Sequence, residues 1–176
     1  MPGNRTSLRL PDYDYRFGGF FFTLVTENRM PLLGQIINGE EHLSPEGQIV
    51  AEEWLRTPIL RKEIQLDEWI IMPDHFHAIV FIDNGHVGGA CWRPCPSERE
   101  GIRDNSEGIQ SVQPSNRSLA RMINQFKATT TRRINEIRHT PGQSVWQRNY
   151  NDRIIRNEVE LDQLRKYIRN NPLERI

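Results

Sequence analysis

Residues 69–82, Trp-Ile-Ile-Met-Pro-Asp-His-Phe-His-Ala-Ile-Val-Phe-Ile, constrain the fold more than any other stretch. Two apolar runs rich in β-branched and aromatic residues meet at Pro73-Asp74, a pair that ends one strand and starts another. In the second run Phe76, Ala78, Val80 and Ile82 alternate with His75, His77, Ile79 and Phe81, so both faces are mostly apolar. A strand of that kind is central in a sheet. Side chains two apart in a strand share a face, which sets His75 and His77 side by side. Two imidazoles from one strand form half of a divalent metal site. They are equally two polar residues at a strand end, and the pair alone does not choose.

The other elements follow from pattern. Residues 1–16 are polar and read as an N-terminal arm. Residues 17–26, Phe-Gly-Gly-Phe-Phe-Phe-Thr-Leu-Val-Thr, read as a buried strand, and 34–39 as a short strand with a turn. Ser44-Pro45-Glu46 starts a helix, with Val50 and Trp54 on its buried face and Thr57-Pro58 as its expected end. Residues 63–70 alternate, with Ile64, Leu66 and Ile70 on one side and Glu63, Gln65 and Asp67 on the other. Residues 83–116 are Gly- and Pro-rich, without period, and read as a flexible insertion. Cys91 and Cys95 within it form no disulfide framework and no complete zinc motif.

Ser118 is the expected cap of the next helix, with Leu119, Met122, Ile123, Phe126, Ile134 and Ile137 as its apolar stripe and 140–142 as its close. An extended stretch from Ser144 through Arg156 follows. Asn157 then caps a last helix with Leu161, Leu164 and Ile168 on its apolar side. Without that helix the order is β-α-β-β-α-β, the ferredoxin-like split βαβ. This α+β class has an antiparallel sheet with helices on one face. Residues 17–176 thus form one domain.

Formal net charge is zero, yet residues 1–116 hold 10 Lys and Arg against 17 Asp and Glu, while 117–176 hold 13 against 6. The basic third suits an anionic partner, or two helices with solvated basic faces. No run reaches transmembrane length and no signal-peptide pattern opens the chain, so the expectation is a cytoplasmic soluble protein.

The final helix carries Lys166-Tyr167-Ile168-Arg169-Asn170-Asn171-Pro172. Tyr167 and Asn171 are one turn apart and share a face. A phenol is a nucleophile and an amide oxygen is a hard ligand, so beside two histidines they complete a chemical set. Periodicity alone also allows Tyr167 as packing and Asn171-Pro172 as a helix stop.

Pro73-Asp74-His75-Phe76-His77 resembles the His-hydrophobic-His motif of the HUH endonucleases. Trp146-Gln147, Ile154-Ile155-Arg156 and Tyr167-Ile168-Arg169-Asn170-Asn171-Pro172, in that order, resemble the C-terminal signature of the single-tyrosine IS200-like transposases, above all the REP-associated branch. The resemblance runs from Phe17 to Pro172. It implies cleavage and rejoining of single-stranded, hairpin or palindromic-repeat DNA through a 5′-phosphotyrosine on Tyr167. It further implies a divalent cation, Mg²⁺ or Mn²⁺, held by His75, His77 and Asn171. Two imidazoles favour Mn²⁺. Lys166 and Arg169 beside the tyrosine, with Arg121, Lys127, Arg132, Arg133 and Arg148, are the candidate DNA contacts. Trp146 and Tyr150 are candidates for base stacking, although Trp146 reads more readily as core. Tyr150 is the rival nucleophile, without a ligand-type residue one turn away. The resemblance leaves monomer and homodimer open, and with them whether Tyr167 serves its own histidines or a partner's. The competing classes are a non-catalytic nucleic-acid-binding module of ferredoxin-like fold and a metal-dependent hydrolase that uses water.

Overall fold

The computed structural model describes residues 18–82 and 119–171. The expected arm at 1–16, the insertion at 83–116 with both cysteines, Ser118 and Pro172 lie outside them. Among the described residues the order is β1 (Gly18–Val25), a 3-10 turn (Glu27–Arg29), β2 (Gly34–Ile37), β3 (Glu40–Leu43), α1 (Pro45–Leu60), β4 (Ile64–Met72), β5 (His75–Ile82), α2 (Leu119–Arg138), β6 (Asn151–Ile155) and α3 (Glu158–Asn170).

The main sheet runs β4-β5-β1-β6 with every neighbouring pair antiparallel. This is the strand order of the ferredoxin-like split βαβ. All eight residues of β5 are buried, and it lies between β4 and β1. Its even-numbered residues and Phe20, Phe22 and Leu24 of β1 meet α1 and α2. Trp54 of α1 anchors that layer, with its ring centroid 5.2 Å from Phe76, 5.6 Å from Phe22 and 5.6 Å from Phe126. On the other face Ile79, Phe81, Ile70, Met72 and Ile155 pack against Leu161, Leu164 and Ile168 of α3. The sheet is therefore covered on both sides, by two helices and by one.

Four details depart from the sequence reading. The 34–39 stretch is half of a hairpin whose turn, Asn38-Gly39, has φ of 53° and 80°. Asn-Gly is the pair that tolerates two consecutive positive φ values. Helix α1 does not stop at Thr57-Pro58 but includes Pro58 and ends at Leu60. Only one intrahelical donor is lost there, Thr57 Oγ1 donates to the Glu53 carbonyl at 3.0 Å, and the Arg61 N–H closes the last turn on Thr57 O at 2.9 Å. Ile137 is 47 % exposed. It belongs to the last turn of α2, where Asn135 Nδ2 binds the following loop at Gln143 O, 2.9 Å away.

The fourth departure is a β-bulge in β4. Leu66 pairs with Val80 and Trp69 with Ala78, so Asp67 and Glu68 together oppose Ile79. One extra residue reverses the alternation that follows. Ile64 and Leu66 face α1 and α2, whereas Ile70 faces α3 instead of sharing their side. The caps agree with expectation: Ser44 accepts the Gly47 N–H at 3.0 Å and Asn157 the Glu160 N–H at 2.8 Å.

The indole N–H of Trp54 is buried without an acceptor among the described residues. Trp54→Ala is expected to cost about 3–5 kcal/mol through the lost packing. Trp54→Phe should cost clearly less, because it also removes an unpaired buried donor. Urea unfolding midpoints of the two variants test this ranking.

Candidate active site

The Pro73-Asp74 turn sets the start of β5. The Asp74 carbonyl accepts both the Thr26 N–H and Thr26 Oγ1, each at 2.9 Å, which ties the turn to the end of β1. Immediately after it come His75 and His77, 5 % and 6 % exposed, on the sheet face beneath α3. Their ring centroids are 4.6 Å apart. Adjacent same-face positions in a strand, derived from spacing alone, thus bring the two imidazoles into contact.

Each imidazole is held from behind. His75 Nδ1 lies 2.6 Å from Asp74 Oδ1, and the other carboxylate oxygen takes Arg29 at 3.3 Å. A carboxylate only accepts, so it selects the His75 tautomer with the proton on Nδ1 and the lone pair on Nε2. His77 Nδ1 lies 2.8 Å from Thr23 Oγ1, its register partner on β1. The hydroxyl accepts when Nδ1 carries the proton, and that tautomer presents the Nε2 lone pair on the other side of the ring. Orientation of the distal nitrogen by a partner on the proximal one is the arrangement found behind metal-binding histidines.

Helix α3 delivers the remaining groups. The hydroxyl of Tyr167 is 3.4 Å from His77 Nε2, longer than a tight hydrogen bond but in direct reach of the ring. The tyrosine ring packs edge-on to His77 at 5.4 Å and to Phe21 at 6.2 Å, while Phe21 stacks on His77 at 5.4 Å. Tyr167 remains 43 % exposed. A phenol that touches a buried imidazole and still faces solvent can meet a substrate from outside. Asn171, one turn on, is 6 % exposed, and its Nδ2 has no partner among the described residues. Turning the amide over presents Oδ1 in the same place. A buried amide without a partner among the described residues fits a role toward a bound group, and an amide oxygen together with two imidazole nitrogens is a reasonable donor set for a divalent cation. Among the described residues no group of three His, Cys, Asp or Glu side chains is arranged to hold a metal. A cation here would therefore draw on the amide.

The structure brings together His75, His77 and Tyr167, and places Asn171 on the flank of α3 that carries Tyr167. Lys166 and Arg169 are exposed on the same helix, and Arg169 Nε donates to Glu68 at 3.1 Å. The α2 cations are elsewhere, since α2 packs on the opposite sheet face. Arg121 and Arg132 are exposed there, as is Arg148 in the connection to β6. Arg133 binds Glu52 at 2.6 Å and Glu53 at 2.7 Å, and these hydrogen bonds hold its guanidinium above its ordinary range. Lys127 donates to the carbonyls of Gln147 at 2.6 Å and Arg148 at 3.0 Å, and burial pushes its ammonium below the usual lysine range. Lys127 and Arg132 line a cleft of about 820 Å³ between α2 and the 139–146 loop, none of whose lining residues belongs to the histidine cluster.

Trp146 is 4 % exposed, bridges to Thr26, and donates its indole N–H to Thr130 Oγ1 at 2.9 Å. It is a core residue, and Tyr150 is half-buried against the same core. Sequence reasoning missed Asp74, Arg29 and Thr23 as partners of the imidazoles. Asp74 stands next to His75 in the chain and was visible as an acid beside a candidate ligand. Thr23 is visible only through strand register.

Comparison with known proteins gives three findings. The family described as Transposase IS200 like matches residues 111–171. A Haemophilus influenzae protein described only as uncharacterized is 33% identical over 174 residues, spanning 97% of this chain and 89% of its own. The fold is similar to a structure described as a REP-associated tyrosine transposase bound to a REP hairpin. The TM-score is 0.60 over 94% of this chain and 73% of the other, at 16% identity.

The tautomer assignment is testable without any ligand. Long-range ¹H–¹⁵N spectra at alkaline pH, where the ring carries one proton, should show His75 protonated on Nδ1 and not on Nε2, and Asp74→Ala should erase that preference. An Nε2–H signal for His75 in the unaltered protein would show that Asp74 does not direct the ring.

Proposed function

The chain belongs to the IS200-like transposase family, and from that premise we propose that it cleaves and rejoins single-stranded DNA through a covalent 5′-phosphotyrosine on Tyr167. The observation that carries this reading is the contact between the Tyr167 hydroxyl and His77 Nε2, with the His75 ring packed against His77 at 4.6 Å. A purely DNA-binding module has no need of a half-exposed phenol set against two buried, oriented imidazoles.

In the proposed reaction Tyr167 Oη gives up its proton and forms a bond to the scissile phosphorus, the bond from phosphorus to the 3′ oxygen breaks, and the departing oxygen takes up a proton to become a 3′-hydroxyl. Attack by a 3′-hydroxyl on the phosphotyrosine reverses the sequence and rejoins a strand. One phosphodiester is exchanged for another, so no nucleotide cofactor is required. A Mg²⁺ or Mn²⁺ ion held by His75, His77 and Asn171 would polarise the phosphate and stabilise the charge that develops on it. Thr23 and Asp74 keep the Nε2 atoms of the two imidazoles directed into the site. Phe21 confines the Tyr167 ring against His77. Lys166, exposed beside the tyrosine, is suited to a non-bridging phosphate oxygen, a contact that adds affinity and salt dependence without sequence choice.

For the substrate we propose hairpin or palindromic-repeat DNA, as in the REP-associated branch that the motifs resemble. Support comes from the fold shared with a protein whose structure holds a REP hairpin. A hairpin supplies unpaired nucleotides at its foot or tip, where a tyrosine on a surface helix can reach a phosphate. The cations Arg121, Arg132 and Arg148 lie away from the histidines and would contact phosphates distant from the one that reacts.

The test incubates the protein and Mn²⁺ with labelled single-stranded hairpins and looks for a protein–DNA band that survives denaturation. The expected result is an adduct that Tyr167→Phe abolishes while DNA affinity is kept. Asp74→Ala should weaken Mn²⁺ binding, measured calorimetrically, by about 10–100-fold, the usual effect of removing a carboxylate behind a ligand histidine. Cutting without any adduct would replace the tyrosine with water as nucleophile. Binding without cutting, over a broad panel of hairpins, would leave only a DNA-binding module.

A further inference from the structure

The β4 bulge and the arginines of α3 form one device. Opposite the single residue Ile79, the bulge turns two consecutive carboxylates, Asp67 and Glu68, to the α3 face. Asp67 receives Arg165 in a two-pronged contact, Nε to Oδ1 at 3.0 Å and a terminal nitrogen to Oδ2 at 2.6 Å. Its Oδ1 also accepts the Glu68 N–H at 2.7 Å, which stiffens the bulge. Glu68 receives Arg169, one turn further along the helix. At 100° per residue, Arg165 and Arg169 lie on one flank of the apolar stripe of Leu161, Leu164 and Ile168, while Tyr167 and Asn171 lie on the other.

This layout makes the stripe a pivot. Three apolar side chains hold α3 on the sheet but constrain its roll about its own axis only weakly, because dispersion contacts are non-directional. A planar two-pronged arginine–carboxylate pair is directional. A roll of about 20° moves a side chain at the helix periphery, about 5–6 Å from the axis, by about 2 Å. That is enough to take the Tyr167 hydroxyl out of reach of His77, and misplacement by about 1 Å can reduce a rate about 100-fold.

We propose that Asp67, with Glu68 as a weaker second, is a positioning residue for the nucleophile. Through Arg165 and Arg169 the bulge sets the roll of α3 and so presses Tyr167 against His77. The inference rests on the reading of Tyr167 as nucleophile only for its catalytic consequence. The geometric part stands on the contacts alone.

The experiment compares Asp67→Asn, Arg165→Lys and a control, Arg56→Gln, whose ion pair with Glu53 joins residues of α1 only. Arg165→Lys keeps the charge and loses the fork. Two readouts are taken on each protein. One is the rate of adduct formation on a saturating labelled hairpin, with the dissociation constant of the hairpin measured separately. The other needs no DNA: the ¹⁹F resonance of 3-fluorotyrosine at position 167, assigned by its loss in Tyr167→Phe, which reports the ring packing of His77 and Phe21.

The expected result for Asp67→Asn is a ¹⁹F shift toward that of free fluorotyrosine and an adduct rate lowered about 10–100-fold at unchanged hairpin affinity. Arg165→Lys should fall between it and the unaltered protein, and Arg56→Gln should match the unaltered protein in both. An unmoved ¹⁹F resonance in Asp67→Asn overturns the proposal whatever the rate does. A moved resonance with an unchanged rate overturns the catalytic consequence. If the unaltered protein gives no adduct on any hairpin while Asp67→Asn still moves the resonance, the phosphotyrosine reading fails and the control of Tyr167 by the bulge stands.

Discussion

Everything in this fold depends on β5 being buried on both faces. A strand with no solvent side cannot be an edge and cannot be covered by one layer. It takes β1 and β4 as neighbours, α1 and α2 above it, and α3 below. The two histidines stand on the α3 face in line with Ile79 and Phe81, which help to seat that helix. The same alternation that builds the core therefore directs the imidazoles at the one helix that carries the tyrosine. Antiparallel pairing with β1 adds the last constraint, because register sets Thr23 opposite His77 and Phe21 opposite Ile79.

The charge asymmetry of the chain acquires a different meaning once the fold is known. Much of it is settled within the molecule. Arg133 reaches back to Glu52 and Glu53, Arg165 to Asp67 and Arg169 to Glu68, in each case from the basic final third to the acidic first part. These contacts join α2 to α1 and α3 to β4, across chain separations that no local pattern connects. A cation engaged in this way is a poorer phosphate contact than its position in the sequence implies, since meeting DNA would mean giving up a well-formed partner. Under the proposed function the burden of DNA attraction would shift toward exposed residues such as Lys166, Arg132 and Arg148.

How much could be read beforehand follows from the range of each signal. The double-faced strand, the histidine pair and the shared flank of Tyr167 and Asn171 all come from spacing within an element, which is local and strong. The hairpin strand β3 was missed because Glu40-Glu41-His42 has no apolar face of its own. It flanks β4. The bulge was missed because Asp67 continues a regular alternation up to the point where Glu68 breaks it, and Ile70 then falls in place by coincidence. Thr23 and Arg29 were not visible as site residues, because only the register of β1 and the turn after it bring them to the histidines.

The separation of duties between sheet and helix explains the uneven burial of the site. Ligand-type groups gain from burial, since His75 and His77 are oriented by hydrogen bonds that water would compete for. In the proposed reaction the tyrosine must meet a phosphate on a large substrate, and that role gains from exposure. Placing Tyr167 on the last helix satisfies both, because the tyrosine can rest against a rigid, buried pair while one side of it faces outward. The cost is that its alignment depends on how a short helix with three buried residues sits on the sheet. Directional contacts at the edge of that helix are the physical remedy. The structure supplies them at the one strand whose irregularity turns two acids the same way, and it does so within a single chain, with Tyr167 against that chain's own His77.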